Sequence, residues 1–349
     1  MREAAKIRVL VIDDSAIVRK ILSESLASEA DIEVVGTAPD PIIALEKIRR
    51  LKPDVLTLDI EMPRMDGLTF LKQLMQTQPM PVILISSLAQ SSVEIALEAL
   101  LHGAVDVLAK PSGPYSVGEL RTTLSGRIRA AAKAKLRGIP RAEFALPPPR
   151  PAIHEKPDLD RLIAIGASTG GTEAVASVLS CLPAEVPPIL ITQHIPPIFS
   201  RTFAQRLDKL CSMEVREAVD GDLPRPGLAL VAPGGFHMVL ENAAGVYRIR
   251  IKGGPMVCYQ RPSVDVSFTS VAMAAGSKAV GAILTGMGSD GAQGMKRMRD
   301  KGSYNIAQDE ATSVIFGMPR EAIRAGAVDQ TLPLDRIAPA LMTACARPT

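Results

Sequence analysis

Apolar residues along this chain fall into two kinds of run. Short, nearly continuous ones, Val9–Ile12, Ile32–Gly36, Val55–Leu58, Val82–Ile85 and Val105–Leu108, are each followed by a stretch that can be helical. Unbroken apolar runs of this length suit strands buried on both faces, and their alternation with helices predicts a parallel sheet covered on both sides. From about residue 159 the pattern resumes, with strands expected at Leu162–Ile165, Ile189–Thr192, Leu228–Val231, Ala279–Leu284 and Tyr304–Ala307. Met238–Glu241 and Val246–Ile251 flank Asn242-Ala243-Ala244-Gly245, a hairpin signal. The expected fold class is therefore α/β in two parts: a (βα)5 domain over residues 1–130, and a wound, mainly parallel domain with a β-hairpin over residues 159–349. Between them, residues 131–158 hold Pro140 and Pro147-Pro148-Pro149-Arg150-Pro151. Such proline density forbids helix interiors and favours extended chain, so this segment reads as a linker, with His154 a solvated residue inside it.

Composition narrows the class of protein without naming a chemistry. The 349 residues suffice for two domains with cores of their own, and 47% hydrophobic against 22% charged residues marks a soluble globular chain. A net charge of +3 is too slight for a nucleic-acid surface, and 3% aromatics without Trp leaves no base-stacking platform. Cys181, Cys211, Cys258 and Cys345 never form C-x-x-C, and the histidines show no H-E-x-x-H spacing, so a cytoplasmic, reduced protein without a thiolate zinc site is expected. Neither a signal-peptide core nor an apolar run of membrane-spanning length is visible, so no membrane insertion is expected.

In wound sheets, ligands bind at the carboxyl ends of the strands. At those ends in the first half stand Asp13 and Asp14, Asp59, Ser86-Ser87, and Lys110-Pro111. Converging carboxylates repel one another unless a hard cation neutralises them, and Mg²⁺, which takes oxygen ligands, suits the position. A lysine and a hydroxyl nearby can hold the oxygens of a phosphoryl group carried on an aspartate. Each acid by itself is equally a turn residue or helix cap.

In the second half, Gly166-Ala167-Ser168-Thr169-Gly170 ends a strand, and Ala174, Val175, Val178 and Leu179 then recur as on one face of a helix. The G-x-S-x-G pattern is that of a nucleophile elbow, though a Ser/Thr-Gly turn capping a helix at Thr172-Glu173 would look the same. His194 and Asp290 also follow predicted strands, so serine, imidazole and carboxylate can converge on one edge despite their separation in sequence. The order Ser…His…Asp differs from that of α/β-hydrolases. His237, after Pro233-Gly234-Gly235-Phe236, is a second candidate base. Gly286-Met287-Gly288-Ser289-Asp290-Gly291, with Asp309 further on, also satisfies a dinucleotide-binding fingerprint; against it, Asp290 puts a carboxylate where a pyrophosphate needs bare N–H groups.

Residues 7–125 resemble a response-regulator receiver domain, on Val11-Ile12-Asp13-Asp14-Ser15, Leu58-Asp59-Ile60-Glu61-Met62-Pro63, Met65-Asp66-Gly67, Ile85-Ser86-Ser87 and Ala109-Lys110-Pro111. The resemblance implies that Asp59 accepts the phosphoryl group, that Asp13 and Asp14 hold Mg²⁺ with it, and that Ser86 and Lys110 are the switch hydroxyl and the phosphate partner. Val107 stands where receivers often carry a rotating aromatic. The second half resembles the catalytic domain of the chemotaxis protein-glutamate methylesterases, the CheB family, on Ile165–Gly171, Gln193-His194-Ile195-Pro196-Pro197, Arg261-Pro262-Ser263-Val264-Asp265, Leu284–Gly291, Asp309-Glu310, Thr312-Ser313-Val314 and Gly317-Met318-Pro319. This implies Ser168 as nucleophile, His194 as base and Asp290 as its orienting acid, with Thr169 and Met287 at oxyanion positions and no cofactor for the esterase. Ser289 departs from the Asn expected beside the acid, and Arg261 and Asp265 are substrate contacts or structural residues. The implied partners are methyl-accepting chemotaxis receptors and a sensor histidine kinase, with the unphosphorylated receiver packed over the catalytic edge. A phosphorylation-dependent scaffold without turnover, and a dinucleotide-binding second domain, are the alternatives.

Overall fold

The computed structural model describes residues 6–87, 89–110, 117–134 and 157–347, and the chain divides into two compact units at Glu143/Phe144. His154, Pro111 and all the linker prolines from Pro140 to Pro151 lie outside the described residues.

In the first unit the elements are β1 (Ile7–Ile12), α1 (Ala16–Ala27), β2 (Ile32–Ala38), α2 (Pro41–Leu51), β3 (Val55–Asp59), α3 (Gly67–Thr77), β4 (Val82–Ser86), α4 (Gln90–Leu101), β5 (Asp106–Ala109) and α5 (Val117–Ala131). The strands form one parallel sheet in the order β2-β1-β3-β4-β5. β3 and β4 are buried at every position, as their unbroken apolar runs require. Side-chain caps start three of the helices where the acidic or hydroxyl residue meets the first turn: Ser15 for α1, Asp40 for α2 and Asp66 for α3.

The second unit runs β6 (Leu162–Ala167), α6 (Gly171–Ser180), β7 (Ile189–Gln193), α7 (Phe199–Leu210), β8 (Glu214–Glu217), β9 (Leu228–Val231), β10 (His237–Ala243), β11 (Val246–Lys252), α8 (Val264–Ala275), β12 (Ala279–Ile283), α9 (Ala292–Asp300), β13 (Tyr304–Gln308), α10 (Met318–Arg324), β14 (Gln330–Leu332) and α11 (Leu334–Ala346). Seven strands make a parallel sheet in the order β14-β13-β12-β6-β7-β9-β8. The order reverses at β6, so the carboxyl ends of β12, β6 and β7 flank the switch point where such sheets bind ligands. β10 and β11 form the expected hairpin. Ala243 pairs with Val246, so the turn is Ala244-Gly245, both at positive φ (53° and 86°), as a tight hairpin turn demands.

Two strands have no counterpart in the sequence pattern. β8 and β14 are the edges of the large sheet, short and polar, and a strand with an open side needs no apolar run to bury. Phe268 and Val264 of α8 pack with Met295 and Met298 of α9 in the core, against Gly166 of the central strand β6. All four cysteines are free, and among the described residues no helix is long and apolar enough to cross a membrane.

Candidate active site

Ala167 pairs with Gln193 across β6 and β7, so Ser168 and His194 stand abreast, one step past the last paired residues of neighbouring strands. The His194 amide donates to Ala167 O at 3.0 Å and fixes that alignment. Helix α6 begins at Gly171 behind a left-handed Gly170 that has no side chain to cap with. The elbow is clamped from two sides. Gln193 Nε2 donates to Ser168 O at 2.8 Å, and the Ser168 amide donates to Thr285 O at 3.0 Å. Thr285 Oγ1 in turn donates to Thr169 O at 3.0 Å. The next residue must be glycine: a Cβ on Gly286 would lie 2.7 Å from Ser168 Cβ. These contacts seat the loop carrying Met287 against the elbow, and Thr169 is buried there. Gln193, Thr285 and Gly286 carry no catalytic signature; their importance is visible only once the strands are side by side.

Asp290 meets His194 from β12's side of the switch point, with His194 Nε2 2.7 Å from Asp290 Oδ2 and both side chains buried. Three more donors surround the carboxylate: Val264 N at 2.7 Å on Oδ2, and Ser263 Oγ at 2.8 Å and Asp265 N at 3.0 Å on Oδ1. Burial would raise this carboxyl, but the His194, backbone and hydroxyl donors together hold it below its ordinary value. An ionised Asp290 makes His194 Nε2 the protonated nitrogen. His194 Nδ1 is then the basic one, buried and without a hydrogen-bond partner among the described residues. The ring is thus used in the opposite sense to the familiar triad, in which Nδ1 faces the acid.

His237, the second candidate base, is occupied at both nitrogens. Nε2 lies 3.0 Å from Pro255 O, and Nδ1 accepts the Ser263 amide at 3.2 Å. A ring that donates with one nitrogen and accepts with the other has no lone pair to offer a substrate. The dinucleotide reading also fails. The helix after the glycine pattern is α9, and its first-turn amide at Gly294 already donates to Asp265 Oδ1 at 2.6 Å.

In the first unit Lys110 Nζ lies 2.7 Å from Asp59 Oδ2 and 3.2 Å from Asp13 Oδ2. Asp13, Asp14 and Asp59 each place an oxygen within 4.8 Å of the others. Asp13 Oδ2 and Asp59 Oδ2 are buried and, among the described residues, make no hydrogen bond beyond this lysine contact. Burial is the largest influence on Asp59, pushing its carboxyl up to about 6; Lys110 opposes this and Asp13 adds to it. Burial likewise raises Asp13, against the pull of Lys110. An all-oxygen set of crowded, reluctant carboxylates fits a hard divalent cation. Ser86 is buried at the end of β4 and donates to Ser87 O at 3.1 Å, and Val107 is buried in β5. Sequence reasoning passed over Glu61, which accepts hydrogen bonds from Ser87 and Ser92 and so ties the loop after β3 to the start of α4.

Fold and geometry together define a two-unit α/β protein, with an acidic pocket at the sheet edge of one unit and a serine–histidine–aspartate edge in the other. Comparison with known proteins assigns both. Residues 9–122 match the response regulator receiver domain family, and residues 163–341 match the CheB methylesterase family. The chain is 52% identical over 335 residues to protein-glutamate methylesterase/protein-glutamine glutaminase 2 of Syntrophus aciditrophicus, covering 96% of this chain and 98% of that protein. It is 52% identical over 342 residues to the protein of the same activity name in Chromohalobacter salexigens, covering 97% and 96%. The crystal structure of the Thermotoga maritima CheB methylesterase catalytic domain superposes with a TM-score of 0.51 at 36% identity, covering 52% of this chain and 97% of that one. This chain belongs to the CheB methylesterase family.

Proposed function

We propose that the chain is a phosphorylation-activated serine hydrolase that demethylates glutamate γ-methyl esters, and deamidates certain glutamines, on methyl-accepting chemotaxis receptors in the cytoplasm. The observation that carries the reading is the buried His194–Asp290 pair, whose basic Nδ1 is left over on the strand neighbouring Ser168. The names and near-complete overlap of the relatives support the choice of substrate.

In this reading Ser168 Oγ attacks the ester carbonyl while His194 Nδ1 takes its proton. Thr169 and Met287 stand where backbone donors can meet the oxyanion. The carbon–oxygen bond to the methoxy group breaks as His194 returns the proton, and methanol leaves. Water then attacks the acyl-Ser168 ester, giving a proton to His194; the bond from the acyl carbon to Ser168 Oγ breaks as His194 returns the proton to Oγ, and the glutamate carboxylate departs. With glutamine as substrate the leaving group is ammonia. Throughout, Asp290 keeps the imidazole in one tautomer and stabilises the imidazolium. No cofactor enters these steps.

Asp59 is the proposed phosphoacceptor, fed by a sensor histidine kinase. Asp13, Asp14 and Asp59 would hold Mg²⁺, which offsets the charge gathered on the phosphoryl oxygens. Lys110 is already paired with Asp59, and Ser86, at the end of the neighbouring β4, is the proposed switch hydroxyl. The test is methanol release from membranes bearing a methylated receptor, by the full chain, with and without a small phosphodonor and Mg²⁺, beside Ser168→Ala. Release that rises with phosphodonor and vanishes in the variant is expected; release that persists in Ser168→Ala would remove the serine mechanism.

A further inference from the structure

Asp290 and Asp265 each stand at the start of one helix and serve the other. Asp290 precedes α9, yet its oxygens accept the first two amides of α8, Val264 N and Asp265 N. Asp265 is in the first turn of α8, yet its Oδ1 accepts the amide of Gly294 in the first turn of α9 at 2.6 Å. The residue in the N-cap position of α9 is Gly291, which has no side chain to give. Each helix start therefore takes a carboxylate from the other's start, α8 in addition to its own cap, Ser263, which accepts the Val266 amide. The two helices touch at this joint: a Cβ on Gly294 would lie 2.8 Å from Asp265 O and 2.7 Å from Phe268 Cβ.

Asp290 is tied to the start of α8 through Ser263 Oγ, Val264 N and Asp265 N, so its place on His194 depends on how the starts of α8 and α9 are set against each other. Gly288 and Gly291 bracket Asp290, both at positive φ (87° and 96°), and such a turn resists little when its anchor is lost. Where α9 begins also sets this turn, and Asp265 is the side chain that pins that point to α8. We infer that Asp265 is a positioning residue for hydrolysis: it touches no reacting atom, but by capping α9 it holds Asp290 on His194. This rests on the proposed serine mechanism.

Without the Asp265 carboxylate the Gly294 amide loses its partner and α9 is no longer pinned to α8 at this joint, so the 288–291 turn shifts against α8 and strains the bonds that hold Asp290 on the imidazole. Displacements of an orienting group by fractions of an ångström to an ångström cost about tenfold to a hundredfold in turnover. Asp265→Asn keeps an acceptor oxygen for Gly294 and removes the charge; Asp265→Ala removes both. The experiment is methanol release from methylated-receptor membranes by the full chain for wild type, Asp265→Ala, Asp265→Asn and Ser168→Ala. It is accompanied by the low-field proton resonance of the His194 Nε2–H bond to Asp290, followed in histidine-labelled protein. Expected are a fall in kcat of at least about tenfold in Asp265→Ala at nearly unchanged KM, a shifted or broadened His194 proton, and recovery of both in Asp265→Asn. Wild-type kcat in Asp265→Ala, or lost activity with an unmoved His194 proton, would overturn the inference. If Ser168→Ala abolishes release while Asp265→Ala does not lower it, the inference falls and the serine mechanism stands. Full release in Ser168→Ala overturns the mechanism, and the catalytic role of Asp265 with it.

Discussion

Asp290 shows how much a single side chain's role depends on its donors. Four hydrogen bonds saturate its two oxygens, and only one of them leads to His194. Asp290→Asn keeps the shape but offers an amide N–H where the imidazole needs an acceptor, so the wrong tautomer is favoured. A fall in kcat of roughly 10³- to 10⁴-fold is expected in the methanol-release assay. Asp59 carries the clearest pH signature. Its folded value, near 6, lies above the ordinary 3.8, so the cation-free fold gains stability from protonating it; that gain is complete below 3.8 and is lost as the pH rises through about 6. A cation needs the ionised form and competes with that proton. Calorimetric titration of the full chain with Mg²⁺ is therefore expected to show affinity falling about tenfold per pH unit below about 6 and levelling above it, a step that Asp59→Asn abolishes. Both acids were legible in the sequence as strand-end carboxylates. Their opposite pKa directions were not, because each is set by the donors and burial that neighbouring strands and helices supply.

The elements most readily read were the interior strands, whose burial on both faces leaves unbroken apolar runs such as Val82–Ile85. The edge strands β8 and β14 escaped for the same physical reason, since a half-open strand tolerates Glu214, Arg216 and Gln330. Hairpin residues can also serve a helix, as His237 does. As the first residue of β10 it accepts the Ser263 amide and so holds the residue that caps α8. His237→Phe strands that buried amide, and denaturant melts should show a loss of about 1–3 kcal/mol, with His237→Gln recovering part of it. Turnover in His237→Phe should fall far less than in Asp290→Asn; an equal collapse would return His237 to candidacy as the base.

At the scale of the whole molecule, the chain joins a phosphoacceptor-type pocket and a hydrolase-type edge in two separately packed units. Their coupling is tested by Asp59→Asn in the full chain, which should lose the rise in methanol release that phosphodonor and Mg²⁺ bring to the wild type. A rise that survives the substitution would place control elsewhere. The sequence by itself determined the α/β class, the doubling of the wound sheet and the residue types gathered at the strand ends, because apolar periodicity and turn chemistry are local properties of the chain. It also determined, through motifs in a fixed order, the family to which the chain belongs. Only the tertiary structure decided that His194 turns Nε2 to Asp290 and leaves Nδ1 free, that His237 is spent on Ser263 and Pro255, and that Asp265 and Asp290 each accept an amide at the start of the other's helix. Those choices depend on which hydrogen-bond donors reach each acceptor across β12, β6 and β7, and no window of sequence contains both partners.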